Sequence, residues 1–173
     1  MRWAAGVLCT ATLFSAEPVF FSEKETALGK ALAAEVEKQY PASRDTAAQA
    51  NLNRVGANLA RSAGLAMPFT FTLLGTAERL AGGLPGGHVY VSRGMLGRAA
   101  TDAELSALLA HQMAHVVLRH GMRGRVYMGG RTGICPLGAD YPMPLTLRAR
   151  IPEYEKEAEG QARQYLDRAG LTP

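Results

Sequence analysis

Apolar residues recur at helical spacing in four stretches of the chain and alternate with polar ones in two, with proline and glycine between them. The first helical stretch opens at Ser22, where Ser22 and Glu25 form a capping box, carries Leu28, Leu32 and Val36 on one stripe, and closes at Pro41. The second starts at Asp45 and runs through Leu52, Val55, Leu59 and Ala60 to Gly64. The third is TDAELSALLAHQMAHVVLRH, with Thr101 as N-cap, Glu104 completing a second capping box, Asp102 complementing the helix dipole, and Leu105, Leu108, Leu109, Val116 and Val117 on the buried side. Its pattern predicts a helix over 102–120, stopped by Gly121. The fourth begins at Pro152, covers 153–169 and ends at Gly170. The two alternating stretches, 69–74 and 88–92, read as strands joined through a glycine-rich turn at 82–87.

These elements predict an α+β domain of zincin type, with helices packed on a small, mainly antiparallel sheet. Between Gly121 and Pro152 the periodicity lapses. Glycines and prolines punctuate that segment, which reads either as a flap beside a site or as an unstructured loop.

Composition narrows the picture only a little. A chain of 173 residues with 47% hydrophobic and 20% charged residues can bury one core and is not disordered throughout. The net charge of +4 is small but uneven, since Arg119, Arg123, Arg125, Arg131, Arg148 and Arg150 face a single acid, Asp140, in their segment. No aromatic or helical pattern organises these arginines, so a solvated loop is expected and a nucleic-acid partner is not. Residues 1–16, MRWAAGVLCTATLFSA, follow the pattern of a secretory signal, with Arg2, an apolar run from Trp3 to Phe14 and small residues at Ser15 and Ala16. The alternative is a buried N-terminal segment. As a signal it predicts an exported chain, periplasmic or secreted, whose domain spans 17–173 without a transmembrane helix. Cys9 leaves with the leader, so Cys135 has no partner for an intrachain disulfide.

The candidate chemistry sits in the third helix. His111 and His115 are one turn apart, and about 100° per residue brings both imidazoles to one face, about 6 Å apart. That spacing suits two ligands of one zinc ion, although two buried histidines can equally be hydrogen-bonded core residues. Gln112 stands where the zinc-peptidase pattern H-E-x-x-H has its general-base Glu. In the last helix Glu155 and Glu159 share a face with Ala162 and Leu166. Two carboxylates above apolar residues call for a metal or a cation, or else belong to a solvated acidic helix paired with Lys156 and Arg163. His88 reads as a strand surface residue. The glycines at 82–87 lack a phosphate-loop pattern.

Four segments, NLNRVGANLA, LPGGHVYVSRGML, TDAELSALLAHQMAHVVLRH and YEKEAEGQARQYLDRAGLTP, together resemble the HtpX-like and CAAX-prenyl-endopeptidase-like zinc metallopeptidases, metallopeptidase family 48, in their small exported bacterial form. The resemblance implies a gluzincin site, with one Zn²⁺ held between two helices by His111, His115 and Glu155. It puts Glu159 where an Asp usually orients a ligand histidine from behind, and makes LPGGHVYVS the strand along which a polypeptide substrate aligns. The chain departs from the family at Gln112, at Leu80-Ala-Gly-Gly before the LPGG turn, and in stopping at Pro173 where relatives continue.

Of these departures Gln112 bears on chemistry, because a carboxamide can hold a water but cannot take its proton. General-base assistance is worth about 10²- to 10⁴-fold, so hydrolysis is expected to be weak or lost while zinc binding survives. Three readings follow: a zinc endopeptidase with residual activity, a non-catalytic binder of zinc and extended peptide, and a metal-free structural domain.

Overall fold

The computed structural model describes residues 21–123, 125–128, 131–134 and 152–171, with the backbone alone described at 125–128 and 131–134. The expected leader over 1–16 and both cysteines lie outside the described residues.

In chain order the elements are helices α1 (Glu23–Gln39) and α2 (Thr46–Ser62), strands β1 (Thr70–Leu74) and β2 (Ala81–Leu84), a 3₁₀ turn over Pro85–Gly87, strand β3 (His88–Ser92), and helices α3 (Arg93–Leu96), α4 (Asp102–Val117) and α5 (His120–Arg123). Strands β4 (Arg125–Met128) and β5 (Arg131–Ile134) and helix α6 (Pro152–Arg168) follow. The starts lie where local chemistry sets them. Ser22 and Glu25 form a complete capping box on α1, Thr101 and Glu104 form another on α4, and the Asp45 carboxylate accepts from the Ala48 N–H to cap α2.

β3 is the middle strand of a three-stranded sheet, parallel to β1 and antiparallel to β2. The sheet is therefore mixed, not mainly antiparallel as the pattern suggested. The reason is the return strand β2: the chain runs along β1, comes back along Ala81–Leu84, turns at 85–87 and enters β3 in the direction of β1. Gly82, Gly83 and Leu84, expected in a turn, thus lie in a strand, and only Pro85–Gly87 make the turn.

Side-chain alternation on β3 sorts the layers. Val89 and Val91 join a core built from Leu52, Val55 and Leu59 of α2, Leu105, Leu109 and Met113 of α4, and Ala158, Ala162 and Tyr165 of α6. Tyr90 points the other way, with Leu80 and Leu84, onto Ala33, Val36 and Tyr40 of the α1 layer, and its hydroxyl donates to Glu37. The free edge of β1 is closed by Gln49, whose side-chain amide donates to the Phe71 carbonyl and accepts from the Leu73 N–H. β2 forms the opposite edge and has no strand partner there among the described residues.

Two expectations for the segment after residue 117 need correction. α4 ends at Val117 instead of running to His120, because Arg119 takes a left-handed conformation (φ 56°) and starts the separate turn α5. The segment from 121 is not wholly irregular either, since β4 and β5 pair as an antiparallel hairpin. A left-handed non-glycine residue costs roughly 1–3 kcal/mol. It is offset here by an ion pair 2.6 Å long from Arg119 Nε to Glu25 Oε1, which also ties α1 to the end of α4. Burial alone would raise the Glu25 carboxyl, but hydrogen bonds from Ser22 and Arg119 and the guanidinium charge hold it below its ordinary range. Among the described residues no helix is long and apolar enough to cross a membrane.

β2 lies so close to α4 that a Cβ at Gly83 would stand 2.6 Å from the Gln112 carbonyl oxygen and 2.7 Å from Val116 Cγ2, whereas one at Gly160 on α6 would meet nothing within 4 Å. Gly83→Ala is therefore expected to destabilise the fold by about 1–3 kcal/mol, and Gly160→Ala to stabilise it by about 0.5–1 kcal/mol. Urea unfolding distinguishes them, and equal effects would contradict the packing described. A lowered carboxyl pKa contributes stability above its unfolded value of about 4.3 that disappears as pH falls through the folded value. Glu25→Gln should accordingly unfold at lower urea than the wild type at pH 7 and converge with it as the pH falls through the lowered folded-state value; a gap that persists unchanged in acid would contradict a charge effect.

Candidate metal centre

α4 presents His111 and His115 one turn apart, and α6 brings Glu155, in its first turn, across to them. His111 Nε2 lies 3.1 Å from His115 Nε2 and 3.2 Å from Glu155 Oε2, and His115 Nε2 lies 3.6 Å from Glu155 Oε1. All the potential ligand atoms fall within 4.8 Å of one another.

This donor set fits a zinc ion. Nitrogen and oxygen ligands at roughly 2.0–2.1 Å in tetrahedral array must stand about 3.3 Å apart, which the three separations bracket. The site also keeps an open side, since the His111 and Glu155 side chains retain 29% and 36% of their exposure while His115 keeps 10%. Three protein ligands with room for a further one is the pattern of a catalytic rather than a structural zinc site.

The helix break at Arg119 supplies the layer behind His115. It turns His120 back into the core, 5% exposed, with its Nδ1 2.9 Å from His115 Nδ1 and its Nε2 3.1 Å from Glu157 Oε2. Arg123 donates to the same Glu157 oxygen at 3.1 Å. The Tyr154 ring stacks on His120 with centroids 4.5 Å apart and planes 5° from parallel.

Sequence reasoning singled out His111, His115 and Glu155, and these three converge. Gln112 is half-buried, one residue past His111, with its backbone carbonyl against β2. Glu159 is exposed, and among the described residues no hydrogen bond or ion pair joins it to either histidine. His88 is half-buried away from this cluster, and burial pushes its ring pKa below the ordinary value. His120, Glu157 and Tyr154 were not singled out. His120 stands in the same motif stretch, but a continuous helix would rotate it about 140° from His115, so only the break reveals its role.

A sequence model of Peptidase family M48 matches residues 46–149. The match contains His111, Gln112 and His115 and ends six residues before Glu155. No curated protein matches the chain significantly.

A ligand that binds only the folded state stabilises it by about 2.7 kcal/mol at a hundred times its dissociation constant. Zinc added to chelator-stripped protein should raise the thermal midpoint, and Glu155→Ala should remove most of that rise. An unchanged rise in the variant would put the ion elsewhere.

Proposed function

Because the chain belongs to Peptidase family M48, a zinc-dependent metallopeptidase family, we propose that it holds one Zn²⁺ through His111, His115 and Glu155 between α4 and α6 and receives an extended polypeptide beside it, with hydrolysis weakened by Gln112. The observation that carries this reading is the convergence of two imidazole nitrogens and a carboxylate at 3.1–3.6 Å. Zinc bound there supplies Lewis acidity, polarising a carbonyl oxygen and making water a better nucleophile.

The chain's own residues do the rest. Gln112 can hold a water by a hydrogen bond from or to its amide, but it has no basic site for the proton that attack releases. The acids at the start of α4, Asp102 and Glu104, lie about 10 Å or more along the axis from His111 and are engaged with Arg54 and Thr101, and Glu157 binds His120 and Arg123. Substrate alignment falls to β2. Gln49 blocks the other sheet edge, while β2 backs onto α4 at Gln112 and has no strand partner on its outer side among the described residues. An extended peptide added to that edge would run past the histidines. The quoted segments support an HtpX-like or CAAX-prenyl-endopeptidase-like member, and the leader-like pattern of 1–16 supports export.

A second reading, a non-catalytic protein that binds zinc and peptide, is favoured by one specific observation, the carboxamide at the general-base position. Casein hydrolysis and zinc content, measured for the native chain and for Gln112→Glu, separate the two. Both forms should bind one zinc, and the Glu form should cleave about 10²- to 10⁴-fold faster. A chelator-sensitive native chain as fast as the variant would contradict the account of the missing base, and no zinc in either would contradict the metal reading.

A further inference from the structure

We infer that His120, held by Glu157, is a positioning residue that fixes the tautomer of His115 so that its Nε2 lone pair faces the metal centre; the inference rests on the zinc reading above. Two ring nitrogens 2.9 Å apart cannot both be donors or both be acceptors, so the His115–His120 contact needs one Nδ1–H and one bare Nδ1. Which is which is decided at the far side of His120. Its Nε2 lies 3.1 Å from an oxygen of the Glu157 carboxylate, a group that only accepts. Nε2 of His120 therefore carries the hydrogen, and in the neutral ring Nδ1 is the acceptor. His115 must then donate from Nδ1, and its own Nε2 is left bare toward His111 and Glu155.

The surroundings hold this chain of hydrogen bonds in place. Arg123 donates to the same Glu157 oxygen, Tyr154 stacks flat on the His120 ring, and the Arg119 backbone turn sets the ring beneath His115. Metal-bound histidines generally donate their other nitrogen to a carboxylate or carbonyl. Here a second imidazole is interposed, and the carboxylate acts through it.

Partners of this kind are worth about 10- to 100-fold in metal affinity. Zinc competition against a chromophoric chelator should show a loss of that size for His120→Phe, which keeps the stacking ring but removes the acceptor, and for the exposed Glu157→Ala, which leaves the fold's core intact. His120→Asn, whose Oδ1 takes the place of Nδ1, should stay within a few-fold of wild type. In ¹⁵N-histidine NMR of the metal-free wild type, His115 should appear as the Nδ1–H tautomer. An Nε2–H tautomer, or wild-type affinity in both His120→Phe and Glu157→Ala, would overturn the inference. A wild-type chain that takes up no zinc would instead defeat the functional reading, and the tautomer measurement would still decide this one.

Discussion

The packing of α6 against α4 sets the geometry on which the site depends. Ala158 and Ala162 are small enough to let the helices close, and Tyr165 fills the core beside Leu105, Leu109 and Met113. That contact is apolar along most of its length, apart from the buried Tyr165 hydroxyl, which has no hydrogen-bond partner among the described residues, and at its open end it delivers Glu155 to two imidazoles that α4 has already aligned. The candidate ligand set is thus a by-product of an apolar interface: without the helix contact, Glu155 would be one more solvated carboxylate on a helix that also carries Glu153, Glu157 and Glu159.

A second constraint acts at the other end of α4. Arg119 occupies a conformation that favours glycine, and its guanidinium is tied to the buried Glu25 of α1. The strain has a local effect, because a helix that continued would carry His120 away from His115. The break brings His120, Glu157, Arg123 and Tyr154 together behind His115. Strained backbone held in place by its surroundings clusters at functional sites, and here it adjoins the candidate metal centre.

Much of this was legible in the chain. The capping boxes at Ser22 and Thr101, the cap at Asp45 and the proline start of α6 are local chemistry, and the helices begin where those residues say. The His111–His115 pair follows from the helical period alone. Glu155 did not: by spacing it was no better than a solvated acid, and only the family resemblance selected it. The direction of β1 relative to β3 was hidden because β2 is Ala-Gly-Gly-Leu, which lacks the β-branched and aromatic content of a strand and is ordered by its neighbours. The layer around His120 was hidden for a related reason, since it depends on a left-handed turn at an arginine, which no local rule anticipates.

The central claim is the identity of the ligands, and X-ray absorption at the zinc edge of the zinc-loaded chain reads it directly. The account predicts nitrogen and oxygen neighbours only, at roughly 2.0–2.1 Å, with the multiple-scattering signature of two imidazoles. Sulfur at about 2.3 Å, which would bring a cysteine to the ion, or a single imidazole, would contradict it.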